Sequence, residues 1–412
     1  MNKVLIIGAG AAGLLAAMGA AQSGAAVTLL ERNEKPGKKL YITGKGRCNV
    51  TNACDEELFR AHVVKNPRFL YSALEALSPG DLMDLLTRLS CPVMVERGDR
   101  VFPQSQKASD VTRALEKELR RLGVEIRLNA RVKALRLDAG GVEGVTLESG
   151  EELSAHRVVL CTGGQSYPST GSTGDGYGWL KQAGHTVYPP LPSLVPLESD
   201  ALWVRELQGL ALKNIRLTLC RGKKTLYSQI GELLFTHFGI SGPLALSASA
   251  YLAELETSEI SLTLDLKPGL TREQLDARLL RDLDQGGKKR LSNLLCALYP
   301  ARLAERMPLL CGVPGQALCC EITREQRAAL VEKTKALPIP ISGARPLSEA
   351  VVTRGGVSVK EINPATMESK LVQGLYVAGE LLDVDALTGG FNLQIAFSTG
   401  FLAGRSAAAE EE

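Results

Sequence analysis

The chain has 412 residues, of which 45% are hydrophobic and 23% charged, and these proportions exclude a disordered, collagen-like or coiled-coil protein. Lysine and arginine number 48 against 45 acidic residues, so the net charge of +3 does not favour nucleic acid or an anionic membrane as the main partner. The nine cysteines are too sparse for a disulfide scaffold, and none has C-x-x-C spacing. This usage predicts a reducing, cytoplasmic location and no metal site.

Residues 4–21 form a stretch without a polar side chain, which is typical of a signal peptide, of a marginal membrane segment or of a buried element. The glycines decide between these, because Gly8, Gly10 and Gly13 form a G-x-G-x-x-G between a strand-like run and a helix-forming run. The first glycine permits a tight turn, the second lets a pyrophosphate approach the backbone, and the third lets helix and strand pack closely. We therefore predict a strand, a phosphate-binding turn and a helix, and no membrane partner.

A second predicted strand, residues 26–30, ends in Glu31, which lies 21 residues beyond Gly10. An acidic residue at this place accepts hydrogen bonds from both ribose hydroxyls and repels a 2′-phosphate. Strand, glycines, helix, strand and acid in this register predict a dinucleotide site.

The loop at residues 36–52 discriminates between FAD and NAD. Backbone can pass close to a planar ring at Gly44 and Gly46, while Asn49, Thr51 and Asn52 offer neutral hydrogen-bonding groups. NAD-only dehydrogenases usually continue at this point into another βα unit. The polar loop therefore favours a flavin, with an ordinary surface loop as the alternative.

Residues 44–52, G-K-G-R-C-N-V-T-N, resemble the signature of the BaiN/YhiN-like flavoproteins, a bacterial family related to the glutathione-reductase-type FAD proteins. Further motifs of that family follow in matching order at residues 100–108, 162–168, 234–243, 352–357 and 389–394. The resemblance implies an α/β fold with a Rossmann-type, glutathione-reductase-like FAD-binding domain. It also implies an oxidoreductase that acts on a 3-oxo bile acid or on a small amine such as aminoacetone.

The predicted cofactor-binding residues come from these motifs and from the resemblance, which assigns Val132 to adenine and Gly379 and Asp383 to the second phosphate and the ribityl chain. A solvated turn is the alternative for Asp383 and Asp385. Residues 389–394 precede a predicted helix whose first N–H groups would face the flavin N1 and C2 carbonyl. The full set is Gly8, Gly10, Ala11, Ala12, Gly13, Glu31, Arg32, Lys38, Gly44, Gly46, Arg47, Cys48, Asn49, Val132, Thr162, Gly163, Gly164, Gly379, Glu380, Asp383, Gly390, Asn392 and Leu393.

The domain organisation follows from composition. Prolines between residues 189 and 196 mark a rigid connector and a boundary. Beyond them come strand-like runs and then helices that open at capping boxes, Thr271 with Gln274 and Thr323 with Gln326. We predict an FAD-binding domain made of residues 1–190 and 338–412, with an inserted α+β domain at 191–337 that covers the flavin cleft. An exposed acidic tail is expected at 410–412.

Tyr167 and His237 are the candidate catalytic residues, since each lies in a dense motif and can donate a proton, with a purely structural role as the alternative. A redox pair of Cys48 and Cys54 is disfavoured, because the two lie six residues apart on a flexible stretch. A second G-x-G-x-x-G between strand and helix is absent from the sequence. NAD(P)H is therefore expected to dock transiently, unless the substrate itself reduces the flavin and oxygen reoxidises it.

We predict an FAD-dependent oxidoreductase that transfers a hydride between flavin N5 and a small organic substrate. Reduction of a conjugated C=C bond in a bile-acid-like 3-oxo steroid is the first expectation, and an amine oxidase releasing hydrogen peroxide is the second. A flavin-containing RNA-associated or redox-sensing protein is the third, supported by the basic stretch at 287–290 and opposed by the near-neutral total charge. The expected partners are a small-molecule substrate and no nucleic acid, with the protein a monomer or a homodimer.

Overall fold

A computed structural model describes residues 2–252 and 257–409, so the tail predicted at 410–412 lies outside the described residues. The chain divides into two compact units, the first made of Met1–Ser193 with Leu347–Glu412 and the second of Leu194–Pro346. The second unit extends beyond the predicted end of the insertion at residue 337, because a strand at Gly343–Ala344 pairs with one at Leu197–Glu198 inside it.

The helices and strands fall into three stretches along the chain. The first stretch of the first unit holds β1 (Lys3–Ile7), α1 (Ala11–Gln22), β2 (Ala26–Leu30), β3 (Thr51–Asn52), α2 (Glu56–Ala61), α3 (Tyr71–Ala76), α4 (Pro79–Arg88), β4 (Val93–Glu96), β5 (Arg100–Pro103), α5 (Ala108–Arg121), β6 (Glu125–Arg127), β7 (Val132–Asp138), β8 (Gly141–Leu147), β9 (Glu152–Ser154), β10 (Arg157–Leu160), α6 (Asp175–Gln182) and β11 (Val187–Ser193). The second unit holds β12 (Leu197–Glu198), α7 (Leu202–Glu206), β13 (Ala211–Arg221), β14 (Lys224–Phe235), β15 (Gly239–Ser241), α8 (Pro243–Ser249), β16 (Ile260–Asp265), α9 (Arg272–Gly286), α10 (Leu291–Leu295), α11 (Ala301–Leu310), α12 (Arg324–Lys335), β17 (Leu337–Pro338) and β18 (Gly343–Ala344). The first unit ends with β19 (Val352–Val357), β20 (Leu375–Val377) and α13 (Phe391–Ala408).

A five-stranded sheet in the order β20-β10-β1-β2-β6 forms the centre of the first unit, and each neighbouring pair is parallel. Strands from both ends of the chain therefore build one sheet. Its aliphatic side chains are buried, as expected for a sheet covered on both faces. The predicted α/β fold class with a Rossmann-type domain is confirmed.

Helices α1 and α13 pack closely, and this explains why residues 4–21 are rich in alanine and glycine. A methyl group at Gly400 would lie 2.1 Å from the carbonyl oxygen of Ala12, and one at Gly404 would lie 2.0 Å from that of Ala16. Only glycine permits so close an approach of two backbones. Among residues 2–252 and 257–409, no helix combines the length and the apolar character needed to cross a membrane.

The proline-rich connector predicted near residue 189 is in fact a strand. β11 contains Pro189, Pro190 and Pro192, yet it pairs antiparallel with β19 in a two-stranded sheet of the first unit. The pairing shifts register between Tyr188 and Leu191, which gives room for prolines that cannot donate a hydrogen bond. Two further sheets in this unit have the orders β3-β5-β4 and β7-β8-β9.

The second unit contains a seven-stranded sheet in the order β17-β16-β13-β14-β15-β12-β18. Its helices α9 and α12 begin at the two predicted capping boxes, where Thr271 and Thr323 each accept a hydrogen bond from the residue three positions on. β17 and β18 come after these helices and complete the sheet, so the simple order of strands followed by helices is wrong at its end.

Candidate functional site

The glycine-rich turn after β1 has the geometry that a bound pyrophosphate requires. Gly8 has φ +96°, and a methyl group there would lie 2.5 Å from the carbonyl oxygen of Cys161. A methyl group at Gly13 would lie 1.7 Å from the carbonyl oxygen of Gly8, whereas one at Gly10 would meet nothing within 4 Å. Gly8 and Gly13 are therefore needed for packing, while Gly10 faces open space at the start of α1, where Ala11 and Ala12 follow.

Glu31 is buried at the end of β2 and is held beside this turn. Its Oε2 accepts a hydrogen bond from the Ala9 N–H at 2.8 Å, and its Oε1 accepts bonds from the backbone and side chain of Asn33. Oε1 thus uses both of its lone pairs, and Oε2 retains one lone pair for a ribose hydroxyl. The neighbouring Arg32 binds Thr173 and Asp175, so its side chain links β2 to the segment before α6.

The predicted flavin loop bends through left-handed backbone at Gly44 (φ +56°) and at Cys48 (φ +62°). Gly46 (φ +86°) has space where a side chain would stand. The Arg47 guanidinium lies 4.0 Å from the centre of the Phe102 ring and donates a hydrogen bond to Glu96 at 2.8 Å. Burial raises the pKa of the Cys48 thiol to about 12, which keeps it protonated and supports a packing role.

The loop end meets the beginning of α13, although the two are far apart in sequence. Asn52 donates a hydrogen bond from Nδ2 to the Gly389 carbonyl at 3.1 Å across 337 residues. Gly390 has φ +103°, and a methyl group there would lie 2.3 Å from the Thr51 carbonyl oxygen. No side chain caps α13 among the described residues, so its first N–H groups, including those of Asn392 and Leu393, are oriented toward this junction.

The Asn392 side chain binds the backbone of the segment that precedes α13. Its Oδ1 accepts a hydrogen bond from the Ala386 N–H at 2.9 Å, and its Nδ2 donates to the Ala386 carbonyl at 2.7 Å. The side chain therefore fixes residues 386–392 and leaves contact with a cofactor to its backbone.

Two further glycine turns lie near the phosphate-binding turn and α1. One follows β10, and the other follows β20. Gly163 (φ +74°) and Gly379 (φ +73°) both have left-handed backbone, and a methyl group at Gly379 would lie 2.9 Å from the Ala12 Cβ. Gly164 packs on Thr353, whose Oγ1 accepts hydrogen bonds from the Gln165 and Ser166 N–H groups. The two turns thus approach α1 and β19 through backbone rather than through side chains.

An ion pair inside this region involves Lys39, which the sequence did not single out. Lys39 Nζ lies 2.6 Å from Glu380 Oε2 and 2.7 Å from Ser166 Oγ. Burial acts to raise the pKa of Glu380, but Lys39 and the Thr353 N–H outweigh it and hold the pKa below its usual value. The predicted Lys38 is also half-buried, and its Nζ lies 3.4 Å from both Glu34 and Asn33.

Asp383 and Asp385 are both buried, so the alternative of a solvated turn is wrong. Asp383 lies 3.1 Å from Lys65, and burial raises its pKa, while Lys65 acts in the opposite direction. Asp385 is bound by both nitrogens of one edge of Arg354, at 3.0 and 2.9 Å, and by Ser193 Oγ at 2.8 Å. Asp385 is therefore structural, whereas Asp383 retains a free oxygen.

Several buried polar atoms of the predicted site have no hydrogen-bond partner among the described residues. They are Asn49 Oδ1, Thr51 Oγ1, Thr162 Oγ1 and Asp383 Oδ1. Leaving such an atom unpaired costs about 1–3 kcal/mol, so a ligand that pairs with them is strongly favoured. All four lie in segments predicted to line the cofactor, and the residues present therefore fit a bound FAD.

The two catalytic candidates lie in different units. Tyr167 is half-buried with φ +52°, a strained conformation for a tyrosine, and its hydroxyl has no hydrogen bond to any residue that the structure describes. His237 belongs to the second unit, where its exposed ring contacts Phe238 edge-on at 4.9 Å. Val132 is buried at the start of β7, opposite Leu147.

A cavity of about 790 Å³ lies next to this junction, and no sequence motif indicated it. Its wall includes Ala53, which follows Asn52, and Phe59, whose ring contacts that of Phe391 at 5.1 Å. Leu74 and Met83 add apolar surface. The volume suits a small organic molecule.

The parallel sheet, the phosphate-binding turn and the polar loop at α13 define an oxidoreductase built on a Rossmann-type flavin-binding fold. Residues 2–406 match the family model described as HI0933-like protein Rossmann domain, and the chain belongs to this family. The predicted family resemblance and the oxidoreductase class are thereby confirmed.

Relatives and solved structures agree with this. A 3-dehydro-bile acid delta(4,6)-reductase from Clostridium scindens is 34% identical, and the match covers 99% of both chains. Ribosomal RNA dihydrouridine synthases from Escherichia coli and Haemophilus influenzae are each 32% identical, with coverage of 96% and 97% of both chains respectively. A 3-ketosteroid delta1-dehydrogenase from Sterolibacterium denitrificans shares the fold, with a TM-score of 0.53, 14% identity and coverage of 99% of this chain and 100% of that one.

Proposed function

We propose that the protein binds FAD and reduces a carbon–carbon double bond conjugated to a carbonyl group, with NAD(P)H as a transient electron donor. The meeting of the loop at 44–52 with the start of α13, around the unpaired atoms Asn49 Oδ1 and Thr51 Oγ1, carries this proposal. When bound, FAD supplies the hydride from its N5 atom.

Different residues would bind the pyrophosphate, the ribose, the ribityl chain and the flavin ring of FAD. The open face at Gly10 admits the pyrophosphate, and Glu31 Oε2 accepts a hydrogen bond from a ribose hydroxyl. Asp383 Oδ1 and Thr162 Oγ1 are free to pair with the ribityl and phosphate groups. The N-terminus of α13 favours negative charge, which supports a role at the flavin N1 and C2 carbonyl.

The reaction needs an acid in the protein. A hydride adds to the carbon β to the carbonyl and a proton adds to the α carbon, so the double bond becomes a single bond and the carbonyl is kept. Tyr167 supports this role, because its hydroxyl is unpaired within the described residues and because strained backbone of this kind clusters at active sites.

The names of the relatives describe one chemical change on two substrates. A 3-oxo steroid with 4,6 double bonds and the uracil ring of uridine both contain a double bond conjugated to a carbonyl. A bile-acid-like 3-oxo steroid is our first candidate, and the apolar part of the wall of the 790 Å³ cavity, which lies beside Glu56 and Glu75, supports it. A uridine in structured RNA is the second candidate, favoured by the positive charge of residues 211–235.

Anaerobic stopped-flow spectroscopy tests the proposal on the purified flavoprotein. NADH or NADPH should bleach the flavin absorbance, and an unsaturated 3-oxo steroid or a uridine-containing RNA should restore it, with a product heavier by two hydrogen atoms. Bleaching by an amine alone, with peroxide released in air, would establish the oxidase alternative and refute the reductase. Protein that purifies colourless and takes up no FAD would refute the cofactor assignment.

A further inference from the structure

The net charge of the chain is small, but one part of the second unit has many more basic than acidic residues. Residues 211–235, which form β13, β14 and their turn, contain five lysines and arginines but one acidic residue, Glu232. The second unit as a whole has 20 basic and 16 acidic residues, so these 25 residues account for its entire excess of four charges. We call residues 211–235 the basic ribbon.

The cations of the basic ribbon are free to bind a partner. Lys213, Arg216, Lys223 and Lys224 are exposed, and none forms an ion pair with a residue that the structure describes. Arg221 is the exception, at 2.8 Å from Glu259. Leaving four exposed cations unpaired on one ribbon produces a concentrated positive potential.

One face of the ribbon carries hydroxyl groups beside these cations. Thr218 and Ser228 are cross-strand partners with oxygens 3.1 Å apart, and Arg216 is paired with Ile230 in the same ladder. The opposite face presents Leu217 and Leu219 to the core of the unit. Hydroxyls and cations contact phosphate and sugar groups, whereas base stacking requires exposed aromatic rings.

The aromatic residues of the ribbon do not serve that purpose, since Tyr227 and Phe235 are both buried. Arg216 lies five residues before the end of β13 at Arg221, so it is roughly 17 Å from the turn that carries Lys223 and Lys224. An RNA strand presents several phosphates over that length. The chemistry of the ribbon thus matches a folded RNA backbone better than splayed single-stranded bases.

We propose that the basic ribbon binds the phosphate backbone of structured RNA. The inference rests on the proposed function, because it supplies the contact that the uridine substrate candidate requires. It also reverses the expectation of no nucleic-acid partner, which rested on total charge, since binding depends on how cations are clustered.

The other basic stretch of this unit provides a matched control. Lys288, Lys289 and Arg290 are also exposed, but they directly follow the C-terminal end of α9, where the helix dipole stabilises positive charge. Replacing these three by glutamine removes as much charge as replacing Lys213, Lys223 and Lys224.

The experiment measures binding of a fluorescein-labelled RNA hairpin by fluorescence anisotropy over a series of potassium chloride concentrations. Full-length holoprotein, the ribbon variant K213Q/K223Q/K224Q and the control variant K288Q/K289Q/R290Q are compared. We expect the ribbon variant to bind roughly 100-fold more weakly at low salt, with the slope of log K against log salt reduced by about 2 to 3, as for three lost phosphate contacts. The control variant should bind within about threefold of the parent protein.

Equal losses in both variants, or no loss in the ribbon variant, would overturn the inference, as would a parent protein that binds no RNA. Binding to vesicles containing phosphatidylserine but not to the hairpin would identify a membrane surface instead. NAD(P)H-driven reduction of a small enone separates the two proposals. If a ribbon variant keeps this activity and still binds RNA, only the proposal of RNA binding by the basic ribbon is refuted. If the parent protein lacks this activity, the proposed reductase function is refuted.

Discussion

Alanine substitutions in the phosphate turn should affect the free energy of unfolding and the affinity for FAD separately. In the G10A variant, the added methyl group meets nothing within 4 Å, and the backbone at Gly10 (φ −79°, ψ −168°) suits alanine. The free energy of unfolding of the apoprotein should fall by at most about 1 kcal/mol, because alanine is a poorer N-cap than glycine. The methyl group nevertheless occupies space that the pyrophosphate needs.

The expected loss of affinity follows from hydrogen bonds to a charged group, which contribute about 1.5–3 kcal/mol each. Displacing the pyrophosphate from one or two backbone N–H groups should cost about 3 kcal/mol, or roughly 100-fold in the Kd for FAD. The G13A variant differs, because its methyl group would lie 1.7 Å from the Gly8 oxygen. Its apoprotein should lose about 2–3 kcal/mol through forced backbone movement.

Fluorescence titration of apoprotein with FAD and thermal unfolding followed by circular dichroism measure the two quantities. Gly178 supplies a control, because a methyl group there also meets nothing within 4 Å and lies in helix α6. G178A should leave the Kd for FAD unchanged and raise the free energy of unfolding by up to about 1 kcal/mol, because alanine has the higher helix propensity. A G10A apoprotein as unstable as G13A, or a G10A variant with normal FAD affinity, would refute the placement of the pyrophosphate at this turn.

Three further predictions concern single side chains. K39M should lower the free energy of unfolding by more than about 2 kcal/mol in urea titrations, because it leaves the largely buried Glu380 without its partner. K38M should change it by less than about 0.5 kcal/mol, because Glu34, the partner of Lys38, is exposed. Burial lowers the pKa of His185 from 6.5, so the unfolded chain takes up the proton first and stability should fall as the pH drops below 6.5. H185Q should lack that part of the pH dependence in unfolding midpoints. Y167F should reduce kcat by about 10²–10⁴-fold while NAD(P)H still bleaches the flavin at the parental rate, and unchanged turnover would exclude Tyr167 as the acid.

Features set by local geometry could be predicted from the sequence. The phosphate turn, the acid at Glu31 and the capping boxes at Thr271 and Thr323 each depend on residues within a few positions or on a fixed spacing. The strand, turn, helix and strand at residues 3–30 and the Rossmann-type α/β fold class could also be predicted, whereas the number and order of strands in the sheet could not.

Features set by distant contacts could not be predicted in the same way. Lys38 and Lys39 are adjacent and chemically alike, yet Lys38 contacts the nearby Glu34 and Lys39 contacts Glu380, 341 residues away. Asp383 and Asp385 are typical of an exposed turn until Lys65 and Arg354 are brought against them. Burial of these charges depends on partners that no local pattern reveals.

The clustering of cations is another feature that the sequence composition does not predict. Net charge is a sum over the whole chain, and a sum of +3 is the same whether cations are dispersed or gathered on one ribbon. Association with a polyanion depends instead on how many phosphates one surface can contact together, since each contact releases counterions. Pairing β13 with β14 places Arg216 and the Lys223–Lys224 turn on one continuous element, and fifteen acidic residues elsewhere in the second unit balance the rest of its cations. A chain that is nearly neutral overall thus acquires a cluster of exposed cations when β13 pairs with β14.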